Sequence, residues 1–203
     1  MKTLEETMKN LICCLLFTTG LVYAAEPASA EVKPPREGWI LLFGLNQPIV
    51  LHGGNVEINY LTRNWVFEYS HGFLLNLSPN RTFTMTQAER DQNLDISLPF
   101  STGGGIGYRF TDNFNLRAEV KAHRYEVNRG SVSFAYTTWS VGLGAYYYWY
   151  PFGKEHFVVT PSLRFWPNVA STLDNGEYRF ADGQAHRAHD FSLFANVSVG
   201  YRF

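Results

Sequence analysis

Residues 191–203 read FSLFANVSVGYRF, and every second position back from Phe203 is apolar: Tyr201, Val199, Val197, Ala195, Leu193 and Phe191. The positions between them, Arg202, Gly200, Ser198, Asn196, Phe194 and Ser192, are polar or small except Phe194. A period of two puts these sets on opposite faces of a β-strand, one oily and one wet. The alternation runs to a terminal aromatic with no polar tail, an unusual ending for a water-soluble sheet.

The same pattern recurs along the chain. Eight alternating segments are predicted, with outward apolar sets Trp39-Leu41-Phe43-Leu45, Val56-Ile58-Tyr60, Trp65-Phe67-Tyr69, Ile106-Tyr108-Phe110, Phe114-Leu116-Ala118-Val120-Ala122, Trp139-Val141-Leu143-Ala145-Tyr147-Trp149, Phe157-Val159-Leu163-Phe165 and the terminal run. None of them keeps a helical spacing. Pro161 interrupts the seventh, removes a ladder hydrogen bond and points to a strand end or bulge there. The connections alternate in length. Thr62-Arg63-Asn64, Thr111-Asp112-Asn113 and 151–155 are short and rich in turn formers, whereas 46–52, 75–101, 128–131 and 168–189 form the other set, with two long members. Short turns and long loops at opposite ends, with both termini on the short-turn side, describe an eight-stranded antiparallel up-and-down transmembrane β-barrel. Trp39, Tyr60, Trp65, Phe110, Phe114, Trp149, Phe157 and Phe203 gather at the short-turn end, where an interfacial girdle belongs. A soluble β-sandwich also alternates, but its oily face needs a second sheet and its aromatics need not collect at one end.

Composition agrees. Aromatics make up 16% of the chain, with 16 Phe, 12 Tyr and 5 Trp. The formal charge of −1 gives no basis for nucleic-acid binding. A mean hydropathy of −0.18 suits an apolar-out, polar-in barrel and not a bundle of membrane helices. Residues 11–22 form an apolar run too short to span a bilayer and right for a signal-peptide core, with cleavage expected after Ala24 or Ala30. The expected division is a signal peptide at 1–24, a Pro-rich periplasmic linker at 25–38 and the barrel at 39–203. Cys13 and Cys14 leave with the signal peptide, so the mature chain carries no disulfide framework, in keeping with a bacterial envelope.

Two stretches carry a family resemblance: residues 103–116 (GGGIGYRFTDNFNL), a strand, tight turn and strand, and 197–203 (VSVGYRF), echoed by Ile106-Gly-Tyr-Arg-Phe110. They resemble the small eight-stranded outer-membrane barrels, the class of outer-membrane proteins A and X and the opacity-type proteins. The resemblance implies the outer membrane of a Gram-negative bacterium, with lipid and lipopolysaccharide around the barrel. It also implies that Val199, Tyr201 and Phe203 form a C-terminal signal read by the barrel-assembly machinery. It leaves function open, because one fold hosts many roles.

Alternation turns Glu57, Glu68, Arg109, Arg117, Glu119, Lys121, Arg164 and Arg202 into the lumen. An eight-stranded barrel has an interior just wide enough for side chains, so these charges are expected to pair across it as a plug. A narrow ion or small-solute channel is the alternative. Gly105, Gly107, Gly142 and Gly144 face the same lumen and are read as making room for Tyr146 and Tyr148. Lipid A hydrolysis would need a nucleophile, base and acid on one face. The nearest set, Glu68, Ser70 and His71, splits between faces, and the charged lumen offers no acyl well, so no catalytic residue and no cofactor are assigned. His186, His189 and Asp190 form an H-x-x-H-D group, with His52 and His71 as distant candidates. It is read as solvated loop histidines and not as a metal site. The expected role is therefore structural or surface-interacting and non-catalytic. Loops 75–101 and 168–189, with Phe83, Tyr178 and Phe180, would meet an extracellular ligand.

Overall fold

The computed structural model describes residues 36–151, 156–190 and 192–203. The expected signal peptide, most of the linker, residues 152–155 of the 151–155 turn and Phe191 lie outside the described residues.

The chain forms strands β1 (Gly38–Gly44), β2 (Gly54–Leu61), β3 (Trp65–Asn76), β4 (Asp95–Arg109), β5 (Phe114–Arg129), β6 (Val132–Tyr147), β7 (Phe157–Phe165), β8 (Asn168–Ser171), β9 (Glu177–Arg179), β10 (Ala185–Arg187) and β11 (Leu193–Arg202). Each strand from β1 to β6 pairs antiparallel with the next, and β11 pairs with both β7 and β1. The ring is thus closed. β8 continues β7 along β6 as one stave, so the barrel is an eight-stranded antiparallel one without free edges.

Three short connections and the C-terminus share one end. The other end carries helix α1 (Asn46–Val50), the 77–94 loop with helices α2 (Arg81–Thr84) and α3 (Gln87–Asp91), a tight turn at 130–131, and the 172–192 loop with its β9–β10 hairpin. The long loops are shorter than expected. Residues 95–101 are strand paired to β3 and β5, and 168–171 are strand paired to β6.

Below the level of His123 the outward face is apolar, with Trp39, Phe67, Val120, Leu143 and Leu163 all exposed. At the short-turn end it closes in an aromatic series: Trp39 against Tyr60 at 4.8 Å, Trp65 against Tyr108 at 5.6 Å, Tyr108 against Phe110 at 5.2 Å and Tyr201 against Phe203 at 5.2 Å. From Trp65 to Phe73 this face rises roughly 20 Å for strands tilted ~40°, close to the apolar band of a membrane barrel.

Above that level the sidedness inverts. In β5, Arg124, Glu126 and Asn128 turn outward while Tyr125 and Val127 are buried. In β6, Ser133, Ala135 and Thr137 turn outward while Tyr136 is buried and Phe134 packs beside it. These inward residues join Leu51, Leu75, Leu77, Met85, Leu94, Ile96, Leu98 and Phe180 in a hydrophobic core of the kind a soluble protein builds. β5 and β6, at 16 residues each, exceed the roughly 10 needed to cross a bilayer. Their upper turns are the wall of this cap.

Pro161 sits within β7 opposite Val197, not at a strand end. Val159 exchanges both backbone hydrogen bonds with Trp149, so the missing N–H of Pro161 also points toward β6. There the regular β6–β7 pairing lapses between Tyr146 and Trp149, where the register sets Pro161 opposite Tyr147.

Candidate functional site

The lumen is layered. At the short-turn end Ile40, Leu42, Leu61, Val66, Tyr148 and Val158 form an apolar floor. The polar middle layer rests on it, and the cap core closes the top.

Arg117 organises the middle layer. Its Nη1 donates to Glu57 Oε1 at 2.8 Å, Glu68 Oε2 at 2.8 Å and Asn59 Oδ1 at 3.0 Å. Nη2 donates to the Tyr148 hydroxyl at 2.6 Å, and Nε to Asn115 Oδ1 at 2.8 Å. The guanidinium lies 3.5 Å from the Tyr146 ring centroid, a cation–π stack. Lys121 Nζ donates to Glu68 Oε1 at 2.5 Å and Ser70 Oγ at 2.6 Å, with Glu119 Oε2 at 3.7 Å. Arg164 donates from Nη2 to Glu57 at 2.9 Å and from Nε to Ser162 at 3.2 Å. The Tyr146 hydroxyl donates to Glu119. Among the described residues three carboxylates therefore face three cations, all buried. Such a set is tolerable in a dry interior only because nearly every polar atom has a partner.

Of the eight charges turned inward by alternation, six meet here. Arg109 and Arg202 do not. Arg109 lies at the short-turn end against the Thr62 carbonyl and Asp112, and half-buried Arg202 reaches the Glu37 carbonyl at 3.4 Å. Both stand below the apolar floor, which separates them from the cluster. Glycine makes the middle layer possible. A Cβ on Gly144 would come within 2.6 Å of the Tyr146 ring, and one on Gly107 within 2.6 Å of Arg117 Cγ. The glycines therefore admit Arg117 and Glu119 as well as Tyr146, while a Cβ on Gly142 would strike the Phe165 carbonyl.

Val199, Tyr201 and Phe203 face outward, Val199 opposite Phe43 and Tyr201 opposite Leu41. The Phe203 amide donates to the Trp39 carbonyl at 2.9 Å, so the last residue is held in the ladder. Glu68 and Ser70 face inward, while His71 faces outward between Phe73 and Phe100 at 6.5 and 6.4 Å. They form no triad. No group of three or more metal-ligating side chains suited to an ion is found among the described residues.

His186 and His189 are not solvated. They are 1% and 5% exposed and belong to a buried cluster inside the cap. Thr86 and Glu89 make a reciprocal capping box at the start of α3, Glu89 Oε2 accepting the Thr86 amide at 2.6 Å. Its other oxygen meets His189 Nδ1 at 2.8 Å. Tyr136 accepts the His189 amide at 3.0 Å and its hydroxyl meets His186 Nε2 at 2.9 Å. Burial pushes the Glu89 carboxyl up, but the His189 hydrogen bond and charge, with the Thr86 bonds, outweigh it and hold the group below its usual range. Burial pushes His186 down to about 4, and the attraction of Glu89 offsets only part of this. The cluster ties the 77–94 loop to the 172–192 loop. The sequence signal for it was Thr-x-x-Glu at 86–89, which marks a helix start inside the loop.

No helix among the described residues is long and apolar enough to cross a membrane, which says nothing of a β-barrel. No family model and no curated protein matches the chain. Among solved structures it is similar to the crystal structure of Ail, the attachment invasion locus protein of Yersinia pestis, at 15% identity and a TM-score of 0.43, over 83% of this chain and 100% of that one. The backbone structure of Ail from Yersinia pestis in a phospholipid bilayer nanodisc is similar at 14% identity and a TM-score of 0.42, with the same coverage. The eight-stranded barrel stands on its own strand pairing.

Proposed function

We propose that this protein is a non-catalytic outer-membrane barrel of a Gram-negative cell, with periplasmic termini, that presents a folded cap to the cell exterior. The observation that carries this reading is the inversion of sidedness. Strands oily outside for a membrane's thickness become oily inside beyond it, as a chain must when it passes from lipid to water. The short-turn end is then periplasmic and the cap extracellular. Lipid and lipopolysaccharide surround the band, and Val199, Tyr201 and Phe203 serve as the signal read by the assembly machinery.

Within this reading, the Glu57, Glu68, Arg117, Glu119, Lys121 and Arg164 set is a structural plug. The apolar floor and cap core above and below it oppose the channel alternative. A role in surface interaction rests on the cap's exposed apolar side chains: Phe83 at 79%, Leu74 at 73% and Ile49 at 71%. Large apolar groups left bare on a folded surface are candidates for contact with a partner. The test compares a deletion strain with strains carrying the wild-type gene or a Phe83→Ser, Ile49→Ser variant. Restoration of surface adhesion by the wild type alone supports the role, and equal behaviour of all strains removes it.

A further inference from the structure

Between the charged layer and the cap core lies a cavity of about 40 Å³. Its polar lining comes from Gln47, Asn55, Lys121, His123, Arg164 and Trp166, with hydroxyls of Ser70 and Ser101 and no carboxylate. Four of these residues, each more than nine-tenths buried, turn a polar atom to no protein partner: Gln47 Oε1, Asn55 Oδ1, His123 Nε2 and Trp166 Nε1. A buried polar atom without a partner costs about 1–3 kcal/mol, so four around one space are not accidental packing.

The donors decide what fits. The Trp166 indole can only donate. His123 Nδ1 is held by Ser101 Oγ at 2.8 Å, and when the hydroxyl donates, Nε2 carries the proton toward the cavity. Arg164 spends Nε on Ser162 and Nη2 on Glu57, which leaves Nη1, and Lys121 supplies a second cation at the same wall. The two amides can be turned to present N–H₂ in place of their oxygens. All three carboxylates of the charged layer lie outside the lining. Arg164 and Lys121 are ion-paired to Glu57 and Glu68 on their far sides, and a concave site that turns N–H donors and no carboxylate inward favours negative charge. Its volume has room for a monatomic ion and a water or two, and none for a sugar or acyl chain.

We propose that this cavity is a binding site for a small monovalent anion of halide size, held by His123 Nε2–H, Trp166 Nε1–H and the Arg164 guanidinium beneath the cap. The anion would select the His123 tautomer and join the cap to the charged layer.

The test uses the full-length mature protein folded in detergent. Crystals grown in sodium bromide should give an anomalous peak in the cavity. Above the dissociation constant, the unfolding equilibrium constant should fall about tenfold per decade of bromide, relative to sodium gluconate at equal ionic strength, because gluconate is too large to enter. Trp166→Phe, which keeps an aromatic ring but removes the indole N–H with part of the ring, should weaken that halide-specific effect and leave the barrel folded. Should that variant not fold, the wild-type bromide map decides alone. Water without anomalous signal at saturating bromide, or equal stability in bromide and gluconate, overturns the proposal.

Discussion

Glu89 and His189 stand 100 residues apart in the chain and share a buried hydrogen bond of 2.8 Å. One sits in the first turn of a five-residue helix, the other just before β11 re-enters the barrel. Together they close the cap over the lumen.

The cap should therefore weaken in acid while the barrel persists. The Glu89 carboxyl has a lowered folded pKa, so its contribution is present above its unfolded value of 4.5 and is lost as pH falls through the folded value. His186 is held neutral with a folded value of about 4 against 6.5, so the unfolded loop binds the extra proton and stability is lost as pH falls from about 6.5 to 4. These two signs agree, while burial raises the Asp190 carboxyl and so works the other way. Protection factors in the 77–94 and 172–192 loops, referred to the intrinsic exchange rate at each pH, should fall between pH 6.5 and 4 while those of the strands below His123 hold. Uniform behaviour of loops and strands would count against it.

Glu89→Gln should loosen the same contact at neutral pH, by about 1.5–3 kcal/mol for a hydrogen bond to a charged carboxylate. A double-mutant cycle with His189→Gln, read by protease sensitivity of the loops in folded protein, should show coupling. Additive effects would show that the two residues act separately.

Removing Arg117 should be the most damaging single change in the lumen. Arg117→Ala leaves three buried carboxylates against two cations, at about 3–5 kcal/mol. Arg117→Lys should not rescue it, because five acceptors are reached by a planar fork that an ammonium cannot copy. Urea unfolding followed by Trp fluorescence measures both. Wild-type stability in the lysine variant would reduce the network to simple charge balance.

Deleting Phe203 should impair insertion, since the assembly signal loses its final aromatic and the ladder to Trp39 loses its last bond. The readout is the heat-modifiable folded band in membranes. An undiminished band would argue against that role.

Below the cap the architecture could be read from the sequence, and above it could not, for one physical reason. The alternation of β5 keeps its phase past His123 but exchanges its chemistry. Glu119 and Lys121 point inward in the membrane half, and Tyr125 and Val127 occupy the same face above it. A reading that assumes one oily face throughout places the connection at 128–131, but its outward apolar sets stop at Ala122 and resume only at Trp139. Pro99 and the bulge between Ser97 and Phe100 hide the start of β4 in the same way. The charged residues of the middle layer follow directly from alternation, whereas their separation from Arg109 and Arg202 depends on the depth of Ile40 and Leu42, which alternation alone does not give. The histidines looked solvated because the partner that buries them, Glu89, lies in another loop.

The central claim is that the chain crosses an outer membrane with its long-loop end outside. It is tested most directly by cysteine labelling in intact cells, since the chain's own cysteines, Cys13 and Cys14, lie in the expected signal segment. Phe83→Cys should react with a membrane-impermeant maleimide on whole cells, and Asn64→Cys should react only after the outer membrane is permeabilised. Labelling of Asn64→Cys on intact cells with Phe83→Cys protected would contradict the account.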